Sequence, residues 1–289
     1  MKIKGIIYTI ISAIIFGFTP ALASITYGFG NNALSMTFYR NLFVIPVLLL
    51  IIKYKKIPLK IEKEELKNIV IISFLGVALT TALLYSSYSY IGVGVATTLH
   101  FTYPIFVALA CKFIFNEKLG KGKIFSLILA FIGVSFFMDI KSGGNILGAV
   151  LALVSGVTYA FYIVSIEKKN LVKINPYKLA LYMSSFAALE LLVANIFGGY
   201  IRVNLPLKIY GLMIIISLLA SIVGVVLFQI GVSIIGSTSA AIFSLFEPIT
   251  SVVVGVLLFN EVLTPLKVIG CLVIFVAITY LALANSKSN

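Results

Sequence analysis

The chain contains no tryptophan, one histidine, two cysteines and only nine acidic residues in 289. Each shortage closes off a class of chemistry. A single His100, with Cys111 and Cys271 set inside long apolar runs, supplies neither the clustered ligands of a metal site nor a disulfide framework. The same scarcity leaves an enzyme without a nucleophile and base, or a metal, to work with. Charged residues make up 11% of the chain, hydrophobic residues 61%, and the mean hydropathy is +1.15. Soluble domains hold roughly 45–50% apolar residues, so this composition describes a membrane protein.

A bilayer core about 30 Å thick needs roughly 20 apolar residues per crossing helix. Apolar runs separated by Gly, Asn, Pro or Lys clusters predict ten helices, at 4–28, 33–53, 67–90, 93–115, 121–140, 145–165, 174–199, 206–231, 236–259 and 265–284. So many spans leave no room for a soluble domain. The formal charge of +13 comes from lysines in short loops, with no amphipathic basic face for nucleic acid. With both termini in the cytoplasm, Lys2, Lys4, Lys53 to Lys67, Lys112 to Lys123, Lys168 to Lys178 and Lys287 lie inside. Only Lys141, Arg202, Lys208 and Lys267 then lie outside, as the positive-inside bias requires. The first 24 residues resemble a signal peptide, but they have an internal counterpart, which a disposable leader should lack.

That counterpart belongs to a duplication. Pro104 and Pro248 stand 144 residues apart, as do Glu117 and Glu261. At this shift residues 89 to 123 match 233 to 267 at about a third of positions, including Phe115-Asn116-Glu117 with Phe259-Asn260-Glu261. A shift of 143 aligns Gly5, Thr9, Ala13 and Gly17 with Gly148, Ala152, Gly156 and Ala160. Small residues at every fourth position form one stripe, along which a neighbouring helix can approach closely in lipid. The chain therefore divides at 1–142 and 143–289, each part with five helices. An odd number of spans turns the second part over, and inverted repeats around a midplane site are the architecture of secondary transporters.

The segments "HFTYPIFVALACKFIFNEKL" and "SLFEPITSVVVGVLLFNEVL" resemble the paired signature of the EamA family of the drug/metabolite transporter superfamily. The likeness covers the whole chain. It implies a basket of helices around a central cavity, and export or uptake of amino acids or other small metabolites across the plasma membrane. The first helix of each EamA unit often carries a tryptophan, where this chain has Phe16 and Tyr159. It also lacks the first-helix glutamate of the short multidrug relatives, which puts a proton-coupled multidrug role in doubt.

Within the predicted spans, Pro104 and Pro248 remove backbone donors and are expected to act as hinges or to line the cavity. Arg40 lies about seven residues into the second helix, roughly 10 Å below the outer surface at about 1.5 Å per residue. His100, Glu190 and Glu247 fall between that depth and the midplane. A charge at a helix centre costs roughly 2.5–3.5 kcal/mol, so it needs a partner or a function. Arg40 either pairs with Glu190 or Glu247 or clamps a substrate carboxylate. Glu247 is a candidate proton carrier, and Tyr85, His100, Tyr103, Tyr159, Tyr162 and Gln229 complete the expected substrate lining. Glu117 and Glu261 read as structural, favouring the N-termini of the helices that follow by about 0.3–1 kcal/mol. Tyr88 and Tyr90 read as interfacial belt residues and Lys112 as a snorkelling lysine. The expected function is a permease for small organic solutes, with no cofactor; the alternatives are a lipid-modifying membrane enzyme and a channel or scaffold subunit.

Overall fold

The computed structural model describes residues 2–87, 90–91, 93–137, 145–259 and 262–287, with the backbone alone for Pro20, Tyr85, Val93, Gly94 and residues 285–287. Every described regular element is a helix. They run α1 (Lys2–Tyr27), α2 (Ala33–Tyr54), α3 (Lys63–Leu84), α4 (Val95–Ile114), α5 (Lys121–Ser135), α6 (Ile146–Lys168), α7 (Pro176–Gly198), α8 (Leu207–Ile235), α9 (Ser237–Phe259) and α10 (Pro265–Ala284). Among the described residues, nine of these are long and apolar enough to cross a membrane. The exception is α5, which ends after 15 residues, short of the expected 140; residues 138–144 lie outside the described part.

Local chemistry sets the helix ends. α3 begins four residues earlier than its apolar run because the Glu65 carboxylate accepts the Glu62 amide at 3.1 Å, half of a capping box. Asn145 and Asn175 cap α6 and α7, accepting from the amides of Leu147 at 2.9 Å and Tyr177 at 3.0 Å. α10 is capped by Thr264, whose Oγ1 accepts the Lys267 amide at 3.3 Å, with Pro265 at the first helical position.

α2 packs along α7, and α5 along α10. The remaining contacts are crossed. α1 lies against α8 and α9, whereas α6 lies against α3 and α4. The small-residue stripes make these crossings possible. A Cβ on Gly5 would come within 2.8 Å of Ile234 and Ile235, and one on Gly17 would run into the Glu247 carbonyl. On α6, a Cβ on Gly148 would meet Tyr90 at 2.7 Å, and one on Gly156 the His100 carbonyl at 3.0 Å. Ser12 of α1 donates to the Gly224 carbonyl at 2.8 Å, and Ser251 of α9 to that of Gly17 at 3.0 Å.

Two helices are interrupted just before a proline. α4 breaks after His100 and resumes at Tyr103, and α9 breaks after Phe243 and resumes at Phe246. Each junction is tightened into three-residue hydrogen bonds, Thr102 to Leu99 at 3.2 Å in α4 and Leu245 to Ile242 at 3.1 Å in α9. Pro104 has no amide to offer the His100 carbonyl, which turns onto Gly156. At α9 the Glu247 amide takes the Ser244 carbonyl at 2.9 Å. α3 and α8 each widen into a π-helical stretch, Ser73–Leu79 and Leu218–Gly224.

Candidate substrate site

The crossed packing brings residues from α2, α4, α6, α8 and α9 together. His100 and Tyr103 flank the interruption in α4, 8% and 0% exposed. Tyr159, one helical turn beyond Ser155 on α6, packs edge-on to Tyr103 at 4.8 Å between ring centroids and lies 5.4 Å from His100. Tyr162 stacks on Tyr159 at 5.8 Å and on Phe228 of α8 at 6.2 Å. Beside Phe228, Gln229 is 3% exposed and directs its amide nitrogen to the Met183 sulfur at 3.8 Å. The result is a continuous aromatic wall from α4 across α6 to α8.

Arg40 and Glu247 complete the group. Both are half-buried, as is Tyr159. Glu247 interacts electrostatically with Arg40, Tyr103 and Tyr159, and Arg40 with Tyr159 and Tyr162. Yet among the described residues the ion pairs are those of Lys168 with Glu117 and with Glu167. Arg40 therefore pairs with neither Glu190 nor Glu247, contrary to the first of its two sequence readings. Its Nε is buried without a hydrogen bond, while its backbone carbonyl accepts from Ser217 at 2.6 Å. Glu190 stands apart on α7, both carboxylate oxygens buried and unpartnered.

The other sequence candidates fall elsewhere. The Tyr85 side chain, Tyr88 and Glu261 lie outside the described residues. Tyr90 is 44% exposed, and Lys112 is exposed beside the Phe113 ring, 5.1 Å from its centroid. Glu117 does not cap α5, whose N-cap is Gly120; its carboxylate is drawn instead to Lys168 at the end of α6. Lys168 also lies 3.2 Å from Glu167, which accepts from the amide and hydroxyl of Ser237 at 2.5 Å each. One charged knot thus joins the end of α4, the end of α6 and the start of α9. Sequence reading missed it because Glu167 and Lys168 look like ordinary loop charges, and nothing in the spacing links them to Ser237. Phe228 was missed for a similar reason: in an all-apolar helix no pattern separates a site-facing aromatic from a lipid-facing one.

Residues 3–138 and 146–283 each match the EamA-like transporter family. An uncharacterized transporter of Synechocystis sp. is 29% identical over 305 residues, covering 95% of this chain and 92% of its own length. YcbK, an uncharacterized transporter of Bacillus subtilis, is 25% identical over 302 residues, covering 99% of this chain and 95% of its own. A solved protein structure sharing 16% identity has a TM-score of 0.78 over 96% of this chain and 98% of its own, a likeness of fold alone. With nearly the whole chain matched in two stretches, an all-helical multi-pass architecture and transporters among its relatives, the protein belongs to the EamA-like transporter family and is a membrane transporter.

Proposed function

We propose that the protein is a secondary carrier that moves small organic metabolites, amino acids among them, across the cytoplasmic membrane by alternating access. The solute binds between the aromatic wall of Tyr103, Tyr159 and Tyr162 and the opposed charges of Arg40 and Glu247, with His100 and Gln229 as polar contacts. One observation carries this reading. Arg40 is held inside the bundle with an unsatisfied Nε and no carboxylate in ion-pair range. An interior cation left unpaired is costly, and a solute carboxylate would satisfy it with the two-pronged geometry that guanidinium favours.

The parts that move are, on this reading, the two interrupted helices, with Pro104 and Pro248 as hinges within inverted repeats at 1–142 and 143–289. The reciprocal crossing of α1 and α6 supports that arrangement, because each first helix would follow the other repeat as it rocks. Glu247 is placed to carry a coupling proton beside Arg40. Both termini face the cytoplasm.

Purified protein in liposomes tests the proposal. Saturable counterflow that Arg40→Ala abolishes and Arg40→Lys partly retains is expected. Ohmic conductance would instead indicate a pore, and lipid turnover without flux an enzyme. Single cysteines introduced at Gly120 and Thr264 should label from opposite sides of the membrane; labelling from one side removes the inverted repeat.

A further inference from the structure

The environment of His100 fixes more than its position. Ser155 is fully buried, and its Oγ lies 2.6 Å from the Ala152 carbonyl and 2.9 Å from His100 Nδ1. A hydroxyl has one hydrogen to give. The carbonyl can only accept, and two oxygens at 2.6 Å with no hydrogen between them would repel, so the Ser155 hydrogen lies on the Ala152 side. Toward His100 the serine is then an acceptor, and Nδ1 must bear a proton. No carboxylate lies within ion-pair distance of the ring among the described residues, and its neighbours are Phe101, Tyr103 and Tyr159 at 5.4–5.9 Å. Nothing there holds a second proton, so a neutral imidazole leaves Nε2 bare.

We infer that Ser155 locks His100 in the Nδ1–H form, so that the site offers a hydrogen-bond acceptor at Nε2 and selects solutes that present an N–H or O–H toward the interruption in α4. Ser155 is the positioning residue and His100 the contact. The tautomer rests on geometry alone; its consequence for selection rests on the carrier reading above. No equivalent exists at α9, where the position matching His100 is Ser244, whose hydroxyl is taken by the Ala240 carbonyl at 2.9 Å.

His100 is the only histidine in the chain, so its state can be read without assignment ambiguity. The full-length protein, labelled with nitrogen-15 histidine, purified through a histidine-free tag and held in lipid nanodiscs, should show a protonated Nδ1 and an unprotonated Nε2. Ser155→Ala should move the proton toward Nε2, and Ser155→Thr should keep it on Nδ1. A wild-type imidazole protonated at Nε2, or at both nitrogens, overturns the inference. In liposomes loaded with a labelled mixture of L-amino acids, Ser155→Ala should lower counterflow about tenfold, the loss of one hydrogen bond to a buried group, and Ser155→Thr should restore it. A changed tautomer with unchanged flux overturns the selection role. Absence of flux in the wild type removes the amino-acid reading, and the spectrum still decides the tautomer.

Discussion

The interruptions in α4 and α9 share a backbone device and differ in chemistry. Both tighten into a short turn just ahead of a buried proline. At α4 the flanking side chains are His100 and a fully buried Tyr103, enclosed by aromatic rings. At α9 the matching positions are Ser244 and a half-buried Glu247, within electrostatic reach of Arg40. The contrast teaches that similar backbones can present different side chains, rings and an imidazole at α4 and a carboxylate at α9, which on the proposed carrier reading is a division of labour.

The largest effect should come from the charged side. Truncating one member of a buried charge contact costs about 2–5 kcal/mol, so Arg40→Ala should reduce counterflow by about 30- to 4000-fold in a protein that still folds. Tyr103→Phe, which keeps the ring and loses only the hydroxyl, should change it by less than about tenfold. Equal losses in the two variants would erase the division of labour. A smaller effect lies in packing. Gly17→Ala would push a Cβ into the Glu247 carbonyl and within 2.7 Å of Thr250 Cβ, contacts that backbone cannot yield, and should lower stability by about 1–3 kcal/mol. For Gly156→Ala the His100 carbonyl is 3.0 Å away and needs to give only a few tenths of an ångström. Its loss should be the smaller of the two, and thermal unfolding in detergent that reversed the order would show α4, not α9, to be the tighter crossing. The smallest effect belongs to the charged knot: with Lys168 and Glu117 side chains 16% and 32% exposed, Lys168→Met should lower stability by only about 0.2–1 kcal/mol.

Much of this comparison was legible in the sequence. The prolines, the recurring Phe-Asn-Glu and the small-residue stripes pointed to paired helices. Of the expected lining, the fold brings His100, Tyr103, Tyr159 and Tyr162 into ring contact, with Gln229, Arg40 and Glu247 nearby, while Glu190 stands apart and the Tyr85 side chain lies outside the described residues. Arg40 and Glu190, at similar depths, read equally well as a pair, yet no ion pair joins them among the described residues. Glu117 read as structural through the dipole of the helix that follows; in the structure its carboxylate meets Lys168 at the end of α6, a partner that no local spacing announces.

Hydrophobic run lengths, loop charges and capping residues by themselves determined the all-helical membrane class and the approximate number and limits of the helices, because those depend on bilayer thickness and on bonds between near neighbours in the chain. Tertiary structure alone decided that α1 seats against α8 and α9 and α6 against α3 and α4, that Arg40 stays unpaired, and that Ser155 meets His100. Those outcomes turn on which helix faces touch, and in lipid almost every face is apolar, so hydrophobic pattern carries no instruction about partners.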